Sequence, residues 1–496
     1  MKIHFIGIGG IGVSALAKYY LSRGDRVFGS DLASSEITQG LTKIGAKIST
    51  GPHKSSHLKL CVEPGSTQLP ELVIYSPAVI PDNPELKTAK KWGIKCLSYP
   101  EALGELTKKY FTIAVCGTHG KGTTTAMISL ILIKAGFDPT VIIGTKLKEF
   151  GDSNYRRGKS KYLLIEADEY KASFLNYWPK AIVITIIDKD HLDYFKNLEN
   201  IIKTFRKFIG HLPKNGILIT NKDDENTKKL ISNSQFPISN KIPNLNFQTR
   251  EYSLTQKEAK ILKRILKIPG DHIIADALAA LTLARILKIP DKISFAALGQ
   301  YHGAWRRFEQ KKLVIGDLEL VIIQDYAHHP TEIKVTLDAV RQKYPNKRIW
   351  CIFQPHQYER TYYLFKDFTK VFAQAPIDKL ILAPIYSVAG RESMAIKNKV
   401  SSQKLAAAIQ QIHNTQYPPS SRSAGLRRAS KISTFGGPTV GWQNTKTIYI
   451  PSIQKISEYL KKNLKADDVL VVMGAGNIYQ LASQIQTLQT AKNFRE

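Results

Sequence analysis

The chain has 496 residues, enough for about two to four domains with ordinary cores, and 71 Lys+Arg against 41 Asp+Glu give it a formal charge of +30. No apolar run approaches the roughly 18 residues of a membrane span, and the lysines are scattered beside apolar helical positions, as on solvated faces. That distribution argues against sequence-specific nucleic-acid binding and against membrane insertion. Cys61, Cys96, Cys116 and Cys351 lie far apart with no C-x-x-C pair, which suggests neither a zinc site nor a disulfide framework and suits a reducing cytoplasm.

In chain order, residues 1–106 open with KIHFIGIGGIGVSALAKYYLSRG, a buried strand broken by glycines that runs into an amphipathic helix ending at Gly24. Glycines interrupt the apolar run too early for a signal peptide. Short strands RVFG and LVIYS follow. Residues 107–300 repeat the strand–glycine–helix order in YFTIAVCGTHGKGTTTAMISLILIKAG, with further buried strands at KYLLIEA and KAIVITII. Residues 301–496 carry LELVIIQDYAHHP, RIWCIFQPH and DKLILAP, then DVLVVMGAGNIYQLASQI, again a strand running into glycines and a helix. Alternating strands and helices predict parallel α/β layers. Residues 412–446 lack periodicity and are rich in Ser, Gly, Pro and Arg, which predicts a flexible surface insertion.

Two glycine loops carry the chemistry. In the first, Gly7, Gly9, Gly10 and Gly12 at a strand-to-helix junction can bring backbone amides and a helix N-terminus against a diphosphate. Asp31 ends the next strand, where a carboxylate can meet a ribose hydroxyl. In the second, CGTHGKGTTT (116–125) lacks two parts of the usual G-x-x-x-x-G-K-[ST] loop: Val115 replaces the leading glycine, and Gly122 follows Lys121. Even so, a strand, glycines, one cation and three threonine hydroxyls suit a polyphosphate. Two such loops imply two phosphorylated ligands. Metal ligands should then end neighbouring strands, which singles out Glu166 after YLLIE and His191 after AIVITIIDKD.

In combination these residues resemble the Mur ligases of peptidoglycan synthesis, which join an amino acid to a UDP-muramyl acceptor using ATP. The resemblance covers nearly the whole chain. The family loop reads G-T-x-G-K-[ST]-[ST] with no leading glycine; GTHGK and GIGGIGxSALA are typical of the branch acting on UDP-N-acetylmuramate, and DYAHHPTE (325–332), FQPHxYxRT (353–361) and MGAGxIY (473–479) follow in order. It implies an α/β fold of three domains: a Rossmann-like UDP-binding domain over 1–106, a P-loop-like ATPase domain over 107–300 and a Rossmann-like ligase domain over 301–496. It also implies a cytoplasmic ligase that attaches L-alanine to UDP-N-acetylmuramate through an acyl phosphate, with ATP and Mg²⁺. EADEY (166–170) is reminiscent of members that recycle a whole tripeptide, whereas SFL (173–175) returns to the alanine-adding pattern.

Residue by residue, the resemblance implies that Lys121, His191 and Arg307 act in catalysis. ATP falls to Gly117, Thr118, His119, Gly120, Lys121, Gly122, Thr123, Thr124, His272, Asp276, Arg307 and Asp325. The UDP-sugar falls to Gly9, Gly10, Gly12, Ser14, Asp31, His328, His356 and Arg360. Glu166 and His191 bind Mg²⁺, with Thr123 replacing the hydroxyl that Gly122 lacks, by analogy with the Lys-Gly-Ser loops of folylpolyglutamate-type ligases. Ile186, Ile273, Asp276 and Gln324 depart from the family pattern, which keeps a non-catalytic nucleotide-binding relative in play as an alternative.

Overall fold

The computed structural model describes residues 1–61, 69–232, 247–315, 318–388, 394–416, 445–482 and 484–485. The first strand–helix run gives β1 (Lys2–Ile6), β2 (Arg26–Asp31), β3 (Lys47–Thr50), β4 (Leu72–Tyr75) and β5 (Lys95–Ser98), ordered β3-β2-β1-β4-β5 and parallel throughout. β1 is buried along its whole length because helices cover both faces. Ile3 and Phe5 face the larger core, while Ile6 joins Val73, Leu58 and Leu86 on the opposite side.

The second run gives β6 (Phe111–Cys116), β7 (Thr140–Leu147), β8 (Ser153–Arg156), β9 (Tyr162–Glu166), β10 (Ala181–Ile184), β11 (Ile217–Asn221) and β12 (Gln248–Tyr252). Their order is β12-β11-β10-β6-β9-β7-β8, so β6 lies between β9 and β10 and its loop opens where strand order reverses. In such sheets ligands bind outside the carboxyl ends of the strands at that point. β8 was not anticipated from the sequence; it pairs antiparallel with β7.

The third run gives β13 (Glu309–Ile315), β14 (Leu318–Asp325), β15 (Ile349–Phe353), β16 (Lys379–Leu382), β17 (Lys446–Tyr449) and β18 (Val469–Met473), ordered β13-β14-β18-β15-β16-β17. β13 and β14 form an antiparallel hairpin at one edge, and the other pairings are parallel. Of the expected 412–446 insertion, residues 412–416 complete the helix Ser402–Gln416, Lys446 opens β17, and 417–444 lie outside the described residues. No helix among the described residues is long and apolar enough to cross a membrane.

By packing, the chain forms two compact units: residues 1–189, 194–267 and 273–305, and residues 190–193, 268–272 and 306–496. In the first unit, one core runs continuously from Ile3, Phe5 and Leu16 to Ala114, Phe174, Phe205 and Phe208, across both of its sheets. The helix Ile11–Ser22 is pinned to β8 by Asn154, whose amide donates to the Ile11 carbonyl and, at 2.9 Å, to Ser14 Oγ. The second unit has its own core of Ile322, Trp350, Ile352, Leu460 and Leu470.

Candidate active site

The loop after β6 turns sharply before the helix Lys121–Lys134, with Gly117 at φ 138° and Gly120 at φ 80°, conformations that favour glycine. Its shape is held from three sides. Thr118 N donates to the Ile186 carbonyl at 2.7 Å. The Thr185 hydroxyl donates to the carbonyls of Cys116 and His119, and a Cβ on Gly117 would lie only 2.0 Å from Thr185 Oγ1. Asp276, 6% exposed, accepts from Thr124 Oγ1 at 2.9 Å, and a Cβ on Gly120 would sit 2.5 Å from the same Asp276 oxygen.

Lys121 begins the helix with its ammonium folded over the loop. It donates to the Gly117 carbonyl at 2.8 Å, the Thr118 carbonyl at 3.2 Å, and Glu169 at 2.8 and 3.2 Å. Burial alone would depress this ammonium, but Glu169, Asp168 and Glu166 outweigh it and hold Lys121 above the ordinary lysine range. Burial pushes the Glu169 carboxyl upward against the pull of Lys121. Glu169 is fully enclosed, not part of a solvated acidic turn. His119 Nε2 lies 3.4 Å from Asp188, and the Thr118 hydroxyl accepts from Asp188 N at 2.8 Å.

Glu166 ends β9, and one of its oxygens accepts from Gly144 N at 2.8 Å. A Cβ on Gly122 would meet that oxygen at 3.4 Å and Thr145 Cγ2 at 3.6 Å, so the missing side chain at 122 would lie against Glu166. Thr123 and Thr124 are both buried, but only Thr124 is tied to Asp276.

In the first glycine loop, Gly9 N donates to Asp31 Oδ2 at 2.8 Å, and the Ser30 carbonyl accepts from Gly7 N at 2.8 Å and Ile8 N at 3.1 Å. A Cβ on Gly12 would strike the Tyr99 ring at 2.9 Å, so helix and ring approach closely here. Gly10 caps the helix Ile11–Ser22. Behind this loop sits a cluster the sequence did not suggest. Glu85, fully buried, contacts His4 Nε2 at 2.6 Å, His53 Nδ1 at 2.7 Å and His57 Nδ1 at 3.1 Å, and accepts from Ser30 Oγ at 2.8 Å. Burial opposes its charge, yet these partners, His4 foremost, bring the Glu85 carboxyl down to about 2.

In the second unit, Arg307 lies over the Tyr326 ring at 5.1 Å and reaches Glu332 at 3.5 Å. Burial pushes the His272 imidazole down to about 4, with Glu332 and Arg307 pulling in opposite directions. His328 packs edge-on against His356, which stacks on Tyr386. Arg360 is buried and contacts both oxygens of Asp190 at 3.1 and 3.3 Å. Burial opposes the Asp190 charge, but Arg360 and then His191 hold that carboxyl well below the usual range. His191 belongs to this unit, at φ 52° beside Asp190. Arg306, unanticipated, is buried between the rings of Tyr326 and Tyr479 and donates to the Gly474 and Gly476 carbonyls, fixing the loop after β18.

Three residues given to ligands on sequence grounds also hold bonds within the framework. Ser14 is wholly buried, its hydroxyl donating to the Ile11 carbonyl while accepting from Asn154. Asp276 supports the loop after β6 through Thr124, whose hydroxyl donates to one of its carboxylate oxygens. Asp325 is buried, with its two oxygens accepting from Ala327 N at 2.8 Å and Phe308 N at 2.7 Å. The physical reason is common to all three: a buried oxygen must find donors, and these found them inside the chain.

Comparison with known proteins bears on the whole length. Residues 2–111 match the Mur ligase family catalytic domain, 115–284 the Mur ligase middle domain, and 306–476 the Mur ligase glutamate ligase domain. The chain is 38% identical over 492 residues to a UDP-N-acetylmuramate–L-alanine ligase of Clostridium acetobutylicum, covering 97% of this chain and 96% of that one. A protein of the same name from Acetivibrio thermocellus is also 38% identical, over 97% of this chain and 94% of its own length. Among solved structures, the UDP-N-acetylmuramate-alanine ligase of Thermotoga maritima shares the fold with a TM-score of 0.73 at 24% identity, covering 99% of this chain and 100% of that one. A murein peptide ligase from Psychrobacter arcticus shares it with a TM-score of 0.64 at 22% identity, covering 98% of each chain.

Proposed function

This chain belongs to the Mur ligase family, and from that premise we propose that it joins L-alanine to the lactyl carboxylate of UDP-N-acetylmuramate, converting ATP to ADP and phosphate. The observation that carries this reading is the Lys121 ammonium, kept charged over a glycine loop at the switch point of the central sheet. The near full-length likeness to alanine-adding relatives supports the choice of amino acid.

A carboxylate resists attack by an amine because its leaving group would be oxide. Phosphorylation supplies a usable one. The lactyl carboxylate attacks the γ-phosphorus of ATP in line and ADP departs; the α-amine of L-alanine then adds to the acyl phosphate carbonyl and phosphate leaves. The protein's part is positioning and charge neutralisation. The loop amides around Gly117 and Gly120 cradle the phosphates, Lys121 exchanges Glu169 for phosphate oxygens, and His119 and Thr118 brace the loop. His272 and Arg307 are assigned to ATP. The amides of Gly9, Gly10 and Gly12, with Asp31, are assigned to the UDP moiety, and His328, His356 and Arg360 to the rest of that substrate.

The donors beside the loop fit a hard divalent cation: they are oxygens, and Glu166 keeps one beyond that bonded to Gly144. Thr123 and Glu166 would hold Mg²⁺, which when bound offsets the phosphate charge. The deciding experiment is ADP release with each substrate omitted in turn. Turnover should require UDP-N-acetylmuramate and L-alanine together. Turnover with the tripeptide L-alanyl-γ-D-glutamyl-meso-diaminopimelate in place of L-alanine would reassign the amine donor, and no ADP release with any of them would end the reading.

A further inference from the structure

The first unit contains a cavity of about 540 Å³ that none of residues 117–124 lines and that touches the first glycine loop only at Ile11. Its walls come from the helices Ile11–Ser22 and Glu36–Lys43 and from the turn joining β7 to β8. Leu21, Ile37, Ile44 and Tyr155 give it an apolar side, with Ile44 53% exposed at the rim.

The polar side has an unusual charge arrangement. Lys18, half-buried, donates to Ser153 Oγ at 3.1 Å and to Asn154 Oδ1 at 2.7 Å. Both acceptors are neutral, and no carboxylate pairs with Lys18 among the described residues. Lys146 also lines the cavity, its ammonium 4.7 Å above the Trp305 ring. Its carboxylate partner is Glu36 at 3.2 Å, whose side chain is 78% exposed, the kind of pair that water screens to little effect. The other acid of the lining, Asp152, is exposed. Burial, and then repulsion from Lys146, push the Lys18 ammonium down to about 8. A half-buried ammonium with only neutral partners and a like charge nearby is disfavoured, and an anion placed between Lys18 and Lys146 would offset that repulsion.

We propose that this cavity binds a small organic anion: a carboxylate that pairs with Lys18 and Lys146, carried on an apolar body that lies against Leu21, Ile37, Ile44 and Tyr155. The volume falls in the range of small-molecule sites. Because the walls belong to both sheets of the unit, such a ligand fastens one sheet to the other. This site is separate from the ligase chemistry and does not depend on it.

The test uses the full chain and three probes in calorimetric titration: octanoate, octanamide with the same body but no charge, and inorganic phosphate with charge but no body. Octanoate should bind saturably with a Kd on the order of 1 mM or tighter, and the other two at least tenfold more weakly. Lys18→Met, which replaces the ammonium with an apolar chain of similar length, should weaken octanoate at least tenfold without lowering the thermal midpoint. If Lys18→Met folds poorly, Lys18→Gln carries the same comparison. The proposal is overturned by absence of saturable octanoate binding, by equal binding of octanamide or phosphate, or by unchanged octanoate affinity in a Lys18→Met, Lys146→Met double variant.

Discussion

Gly120 and Gly122 stand on either side of Lys121, and the structure predicts opposite responses to the same substitution. At Gly120, alanine would have to adopt φ 80°, which costs an L-residue about 1–2 kcal/mol. Its Cβ would also fall 2.5 Å from Asp276 Oδ1 and displace the acceptor of Thr124; a lost hydrogen bond to a buried charged group adds about 1.5–3 kcal/mol. The sum is about 3–5 kcal/mol against the loop. At Gly122 the new Cβ would meet Glu166 and Thr145 at 3.4 and 3.6 Å, ordinary contact distances in the first turn of a helix. Alanine there restricts the unfolded chain and should stabilise by about 0.4–1 kcal/mol. The substitutions act on one loop and the helix that follows it, so the measurement should be local. Hydrogen exchange of the amides in Lys121–Lys134 reports the opening free energy of this helix. Gly120→Ala should speed exchange by at least a hundredfold, and Gly122→Ala should leave it unchanged or slower. Equal destabilisation by the two, or a silent Gly120→Ala, would refute the account of Asp276 as the support of the loop.

Lys121→Ala should abolish L-alanine-dependent ADP release while UDP-N-acetylmuramate still binds in calorimetric titration; persistent turnover would remove Lys121 from the mechanism. Thr123→Ala should raise the Mg²⁺ concentration for half-maximal turnover at least tenfold, whereas an unchanged requirement would leave the metal to other oxygens. Glu85 has its carboxyl depressed from 4.5 to about 2, so it contributes about 3 kcal/mol of stability. That contribution is present above the unfolded value and is lost as pH falls toward 2. Glu85→Gln should therefore flatten the difference in thermal midpoint between pH 5 and pH 2.5, and an acid limb identical to that of the parent would show that the cluster does not hold the charge.

The strand–glycine–helix openings were legible in the sequence because their signal is local: an apolar run, glycines and an amphipathic stretch lie within some twenty residues. Glu166 and Asp31 at strand ends, the first loop's glycines and Lys121 at a helix start were legible for the same reason. The supports were not legible. Thr185 braces Gly117 from 68 residues away in sequence, Asp276 meets Thr124 across 152, and Glu85 gathers His4, Ser30, His53 and His57 from separate elements. Nothing within any one of those segments distinguishes such a residue from a surface polar group. Glu169 shows the ambiguity most plainly: in EADEY the strand end singles out Glu166, and only folding encloses Glu169 with Lys121. The antiparallel strand β8 was missed because it is only four residues long and pairs at the sheet edge with the longer β7.

The continuous core of the first unit also bears on how such a protein can be divided or recombined. A boundary drawn near residue 110 would separate two family-defined segments, yet Leu103 and Leu106 share one core with Phe174 and Phe205, Gly104 packs directly on the Asn176 backbone, and Asn154 reaches back to Ser14. A gene cut there would yield two fragments, each with half of a shared interior turned to water. For chimaeras and truncations the exchangeable piece is therefore the pair of sheets, inherited and transplanted together.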